Sequence, residues 1–260
     1  MKQYVIQHGG YAVFYHDLPG ETPPLVFLHG LGCTSSFEYP AVMSDPALRG
    51  RRALLIDLLG AGYSERPLEF SYTVEDHAAY LYEMLVRLDL AGIILFGHSL
   101  GGAVAICLAG LLKDRLRQLI LTESNLDPSP AGATSRMIGS QPYDAFLAHG
   151  YAEMLAHASR LYPLWAATLG HWLPEAAWRI SRSAIRGGTP SWRQQLYDLK
   201  QPKAFFFGER SLPDPDVDLL RQAGVRVEVI PNAGHSMALE QPSALAQVIA
   251  RVIADVEETI

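Results

Sequence analysis

Ile93-Ile94-Leu95-Phe96-Gly97-His98-Ser99-Leu100-Gly101 is the stretch on which the fold turns. Its four leading apolar residues suit a strand buried on both faces. The next five fit G-x-S-x-G, and an apolar helical pattern continues from Leu100 to Leu112. Three fixed positions recur easily by chance, so the strand before and the helix behind give the pentapeptide its weight. In that setting a sharp turn lifts the Ser99 hydroxyl clear of the sheet, as in a nucleophile elbow. Side chains at Gly97 or Gly101 would collide with the neighbouring strand and helix, and Ser99 itself takes a strained backbone.

Working outward, similar apolar runs end at turn residues: Pro24 to Leu28, Ala53 to Ile56 and Leu119 to Leu121; later come Ala204 to Phe207 and then Val225 to Ile230, which carries Arg226 and Glu228. Helical patterns lie between them, including Val74 to Leu88, and a last one runs from about Ser243 to Val256. Alternating strands and helices predict an α/β fold with a mostly parallel, doubly wound sheet. One stretch breaks the alternation. All four tryptophans, Trp165, Trp172, Trp178 and Trp192, fall between Asn125 and Leu199, among several prolines, and that segment reads as short helices. It predicts a helical cap, residues 125–199, inserted between the sixth and seventh strands of a core made of residues 1–124 and 200–260.

Composition narrows the function. A net charge of −6 without long single-sign runs excludes a nucleic-acid footprint and a polybasic membrane patch. No apolar stretch is long enough for a membrane span, and Met1 to His8 has no apolar leader core, so a cytoplasmic location is expected. Cys33 and Cys107 lie far apart and outside any CxxC pattern, which suits two reduced, buried thiols. No His/Cys/Asp cluster has metal-ligand spacing, so neither a metal nor a cofactor is expected.

The chain resembles the α/β-hydrolase fold family in four ordered places: His29-Gly30-Leu31-Gly32, Asp57-Leu58-Leu59-Gly60-Ala61-Gly62-Tyr63-Ser64, the Ser99 pentapeptide, and Asn232-Ala233-Gly234-His235-Ser236-Met237. The second resembles the loop D-x-x-G-x-G-x-S. A serine needs a neighbouring imidazole to take its proton. His235, in a small-residue loop after the last predicted strand, is the candidate. His98, inside the elbow, is expected to point into the fold, and His149, His157 and His171 are expected to pack or lie exposed in the insertion. The backbone N–H of Leu100 is a natural oxyanion donor. The resemblance implies a second donor at Leu31.

Most of the family places its triad acid after the seventh strand, where this chain has Ser211. Glu209, Asp214 and Asp216 would each need a distorted loop to reach the imidazole. The sixth strand lies next to the nucleophile strand, about 4.8 Å away in a sheet. Glu123 stands at its carboxyl end, and some branches of the family, among them small bacterial hydrolases with a similar Glu-x-Asn-Leu run, put their acid there. Glu123 is therefore the expected acid, with Asp127, Asp214 and Glu209 as alternatives. The order Ser99, Glu123, His235 keeps the chain order Ser, acid, His.

The resemblance implies a serine esterase-like hydrolase that cleaves a small apolar ester or related acyl bond through an acyl-enzyme. Trp165 and Trp172 are candidate pocket residues in the cap, although packing accounts for most tryptophans there. A C–C bond hydrolase or lyase with the same triad stays open, as does a non-catalytic ligand-binding protein on the same fold. The family's dehalogenases and epoxide hydrolases resemble a version with an aspartate nucleophile, which Ser99 argues against. Nothing in the sequence specifies an oligomeric state.

Overall fold

Eight strands form one sheet in the order β1-β2-β4-β3-β5-β6-β7-β8 in a computed structural model that describes residues 1–258. The strands are β1 (Lys2–Val5), β2 (Ala12–Leu18), β3 (Glu21–Leu28), β4 (Arg51–Ile56), β5 (Ile93–His98), β6 (Leu116–Thr122), β7 (Lys203–Gly208) and β8 (Arg226–Ile230). β1, β2 and β4 pair antiparallel, and every other pairing is parallel. This is the mostly parallel α/β sheet expected from the apolar runs. Of the expected core segment 200–260, Thr259 and Ile260 lie outside the described residues.

The unbroken apolar runs are explained by burial on both faces. Successive side chains of a strand point to opposite faces. Accordingly Leu25 and Phe27 join one core cluster with Tyr39, Phe96 and Ile249, while Val26 and Leu28 join the other with Leu95, Val104 and Leu81. The first face is covered by α1 (Ser35–Met43) and α12 (Pro242–Glu257), the second by α2 (Val74–Arg87) and α3 (Ser99–Leu112). α2 begins at Thr73, whose hydroxyl accepts from the N–H of Asp76 at 3.1 Å, satisfying one of the first-turn donors. Pro242 starts α12 at a position where a missing N–H costs nothing.

The segment between β6 and β7 contains α4 (Thr134–Gly139), α5 (Tyr143–Ala145), α6 (Tyr151–Leu161), α7 (Pro163–Leu169), α8 (Pro174–Arg186) and α9 (Trp192–Asp198), with a π-turn between α5 and α6. α7 and α8 each start on a proline, so the prolines that break the sequence pattern mark helix starts. The segment is stitched to the loop after β4 by main-chain bonds: Leu173 N–H to Gly60 O at 2.8 Å and Gly62 N–H to His171 O at 3.0 Å. Two short helices, α10 (Asp216–Gln222) and α11 (Met237–Glu240), follow β7 and β8.

The strands most central to the sheet, β3, β5 and β6, therefore end side by side. β5 pairs with β3 through Leu28 and Gly97 and with β6 through His98 and Thr122. Whatever follows these strands is gathered at one rim, the usual ligand end of an open α/β sheet.

Candidate active site

Ser99 follows the last residue of β5 and opens α3 with φ +51°, a left-handed conformation that serine seldom adopts. The turn is tight enough to need its glycines. A Cβ on Gly101 would lie 2.1 Å from His29 O, and one on Gly97 would lie 2.7 Å from the Cβ of Ala105. The first-turn N–H of Leu100 has no partner within the helix, as at any helix start.

His235 lies in the loop between β8 and α11. Its Nε2 is 3.1 Å from Ser99 Oγ and its Nδ1 is 2.8 Å from Glu123 Oε2. A carboxylate only accepts, so Nδ1 carries the proton and Nε2 is left to accept from the serine hydroxyl. The main chain on both sides of His235 is held by one side chain: Gly234 N–H and Ser236 N–H donate to Glu240 of α11 at 2.7 and 3.1 Å. Sequence reading passed over Glu240. Its only signal was an acid five residues after the histidine.

Glu123 sits one residue beyond β6 with φ +40°, its N–H still bonded to Phe206 O of β7 at 3.1 Å. Oε1 accepts the N–H of Gly208 at 2.9 Å, and Ser211 also hydrogen-bonds the carboxylate. Burial alone would raise the pKa of this group. The bonds from His235, Ser211 and Gly208 outweigh it and hold the carboxyl down at about 2. Ser211 stands where most of the family has its acid. Here it is a donor to the acid on the next strand.

The other acids have different partners. Asp127 pairs with Arg193, which also reaches Asp216 at 2.9 Å. Asp214 accepts from the N–H of Asp216 at 2.8 Å, and Glu209 from that of Asn232 at 2.7 Å.

His98 is buried, with Nδ1 3.1 Å from Thr122 Oγ1 and its ring centroid 4.8 Å from that of His235. Burial, followed by the nearby His235, lowers its pKa to about 3, so it adds no positive charge beside the imidazole. His149, His157 and His171 are exposed on the inserted segment. Cys33 is buried and its thiol hydrogen-bonds Glu38 of α1. Burial pushes that thiol well above its ordinary pKa, which keeps it protonated and poorly nucleophilic.

Leu31 lies in the loop after β3, and its N–H makes no main-chain hydrogen bond among the described residues. His29 is fully buried. Its Nε2 accepts the Leu58 N–H at 3.0 Å, so the proton is on Nδ1, which donates to Gly30 O at 2.9 Å. The loop after β4 is braced by Asp57, which accepts from Ser36 Oγ at 2.7 Å and Tyr63 N–H at 3.1 Å. Trp172 is only 4% exposed, with its ring edge-on to His29 and its N–H on Cys33 O. It is packed against the loop. Trp165 is half-buried, with its N–H on Leu31 O. The side chain of His235 is 55% exposed against 12% for Glu123, so the relay is open to solvent at its serine end and closed at its acid end. Among the described residues no group of three or more His, Cys, Asp or Glu is placed to hold a metal, and no helix is long and apolar enough to cross a membrane.

The alpha/beta hydrolase fold family matches residues 23–212 of the chain. The protein belongs to that family. It is similar to a 2-hydroxy-6-oxo-2,4-heptadienoate hydrolase of Pseudomonas putida, 35% identical over 115 residues, covering 44% of this chain and 41% of that one. It is also similar to haloalkane dehalogenase 2 of Mycobacterium bovis, 31% identical over 159 residues, covering 59% of this chain and 54% of that one. These alignments thus span about half of either relative. A thermophilic esterase from Thermogutta terrifontis superposes with a TM-score of 0.79 over 98% of both chains at 22% identity, a likeness of fold.

Proposed function

We propose that the protein is a serine hydrolase that cleaves a carboxylic ester or related acyl bond through an acyl-enzyme. The observation that carries this reading is the unbroken relay from Ser99 Oγ through both nitrogens of His235 to Glu123, at 3.1 and 2.8 Å. Ser99 attacks the acyl carbon while its proton passes to His235 Nε2. Glu123, ionised throughout the working pH range, holds the tautomer and balances the imidazolium. The proton then goes to the departing alkoxide, and water repeats the sequence to release the acid. The N–H groups of Leu31 and Leu100 take the oxyanion, and residues 125–199 act as a cap over the strand ends.

Two features separate this reading from the chemistries of the relatives. Displacement through a carboxylate nucleophile needs an acid at the elbow, and Ser99 occupies it. An anionic dienoate is favoured by an unpaired cation, and Arg193, whose N–H bonds Leu126 O three residues after Glu123, is already paired with Asp127 and Asp216. A neutral, apolar ester fits better.

The test is a panel of p-nitrophenyl esters of increasing acyl length, with fluorophosphonate labelling and mass mapping of the adduct. Turnover with the adduct on Ser99 is expected. Absence of an adduct, or turnover of β-diketones in place of esters, would contradict the reading.

A further inference from the structure

Two indole N–H groups from the inserted segment hold the loop that presents Leu31. Trp165 Nε1 donates to Leu31 O at 3.0 Å, and Trp172 Nε1 donates to Cys33 O at 2.7 Å. These residues are more than 130 positions away from the loop in sequence.

Leu31 lies between Gly30 and Gly32, the latter at φ +76°. Glycine has many backbone conformations within reach, so the peptide units around Leu31 are free to rotate unless their carbonyls are held. A peptide unit is planar, and a donor that fixes its oxygen therefore fixes the N–H on its opposite side. The unit bearing the Leu31 N–H is held at Gly30 O by His29 Nδ1 and, within the loop, by Cys33 N–H at 3.2 Å. The next unit is held at Leu31 O by Trp165. The far end of the loop is held at Cys33 O by Trp172.

The approach is close. A Cβ on Gly32 would lie 2.4 Å from Trp165 Nε1, so the indole rests directly on the loop and only glycine admits it. Trp172 is anchored in turn: its backbone forms a β-bridge with Ala61, and Leu173 beside it bonds to Gly60 O.

We propose that Trp165 and Trp172 are positioning residues for the oxyanion hole. Their N–H groups brace the peptide unit that follows the Leu31 amide and the far end of its loop, so that amide keeps its direction only when the inserted segment is seated on the loop. This rests on the ester-hydrolysis reading above, in which Leu31 donates to the oxyanion. It gives both tryptophans a role other than walling an acyl pocket.

The test uses full-length protein with Trp165→Phe, Trp172→Phe, and Trp165 replaced by benzothienylalanine, which keeps the bicyclic shape and lacks the N–H. With p-nitrophenyl butyrate as substrate, kcat should fall about ten- to a hundredfold with KM within about twofold of wild type. The affinity of an alkyl trifluoromethyl ketone, which forms a tetrahedral adduct on the serine, should fall by the same factor. A purely structural role would not tie kcat to that affinity. Unchanged kcat and inhibitor affinity in the benzothienylalanine protein would overturn the proposal, as would a rise in KM alone. Ser99→Ala, run in parallel, separates the two levels. If it is dead while the tryptophan variants are unaffected, only this inference falls; if it turns over substrate, the underlying reading falls with it.

Discussion

Glu123 and Glu38 both lie within electrostatic reach of His235, and their surroundings drive them in opposite directions. Glu123, after β6, meets three hydrogen-bond donors and is held at about 2. Glu38, in α1, is 3% exposed, with one carboxyl oxygen unpartnered, and burial raises it to about 7. Glu38 lines a small cavity with His98 and with Ser236, the residue after His235. Proximity to a histidine does not make a triad acid. The supply of donors decides which carboxylate stays ionised and can balance an imidazolium.

Breaking the relay at its common end should have the largest effect. Ser99→Ala should reduce esterase kcat to background, a loss of roughly 10⁵-fold or more, measured with p-nitrophenyl butyrate. Glu123→Gln keeps the shape and removes the charge, and should lower kcat by about three to four orders of magnitude. Asp214→Asn, in the same assay, should remain within about twofold of wild type.

Glu38 gives the opposite signature. Its native carboxyl keeps a proton that the unfolded chain has already released, so stability is fully present below the unfolded value near 4.5 and is lost as pH rises to about 7. The loss is on the order of 3 kcal/mol for a shift of this size. Glu38→Gln should therefore gain stability over wild type at pH 8 and not at pH 4, as read from denaturant midpoints, with little change in kcat. A large loss of activity in this variant would make Glu38 the functional acid.

Among changes that weaken the relay, the smallest loss is expected at Ser211. Ser211→Ala removes one of the donors to Glu123 and should lower kcat about three- to tenfold. The stability that Glu123 gains from its low pKa is present above the ordinary carboxylate range and lost as pH falls toward 2. Weakening it should move acid unfolding of the variant to higher pH, followed by circular dichroism.

Much of this site was legible because its parts are local. Ser99 and His235 stand in short glycine-marked turns behind apolar runs, and such turns read well in sequence. Glu123 was legible by a different route, since an empty acid position after β7 directs attention to the neighbouring strand end. Its donors were not legible, because Ser211 and Gly208 approach it from across the sheet and no spacing encodes that approach. Glu38 sits in a helix containing Pro40, a residue that argues against a helix in sequence. The hairpin of β1 and β2 was not read: β1 is four mostly exposed residues, and the apolar run Ala12 to Tyr15 that opens β2 gives way to His16 and Asp17 before the strand ends. The indole contacts to Leu31 and Cys33 were equally hidden: tryptophans in a helical segment signal burial, and their hydrogen-bond partners appear only once the loop is in place.

The most direct measurement is the far-downfield proton NMR signal of the His235 Nδ1–H in protein labelled with ¹⁵N-histidine. Its hydrogen bond to a carboxylate should keep that signal visible in wild type, Glu38→Gln and Asp214→Asn, and Glu123→Gln should abolish it. A signal that survives in Glu123→Gln, or that vanishes in either of the other two variants, would contradict the assignment of the acid to the end of β6.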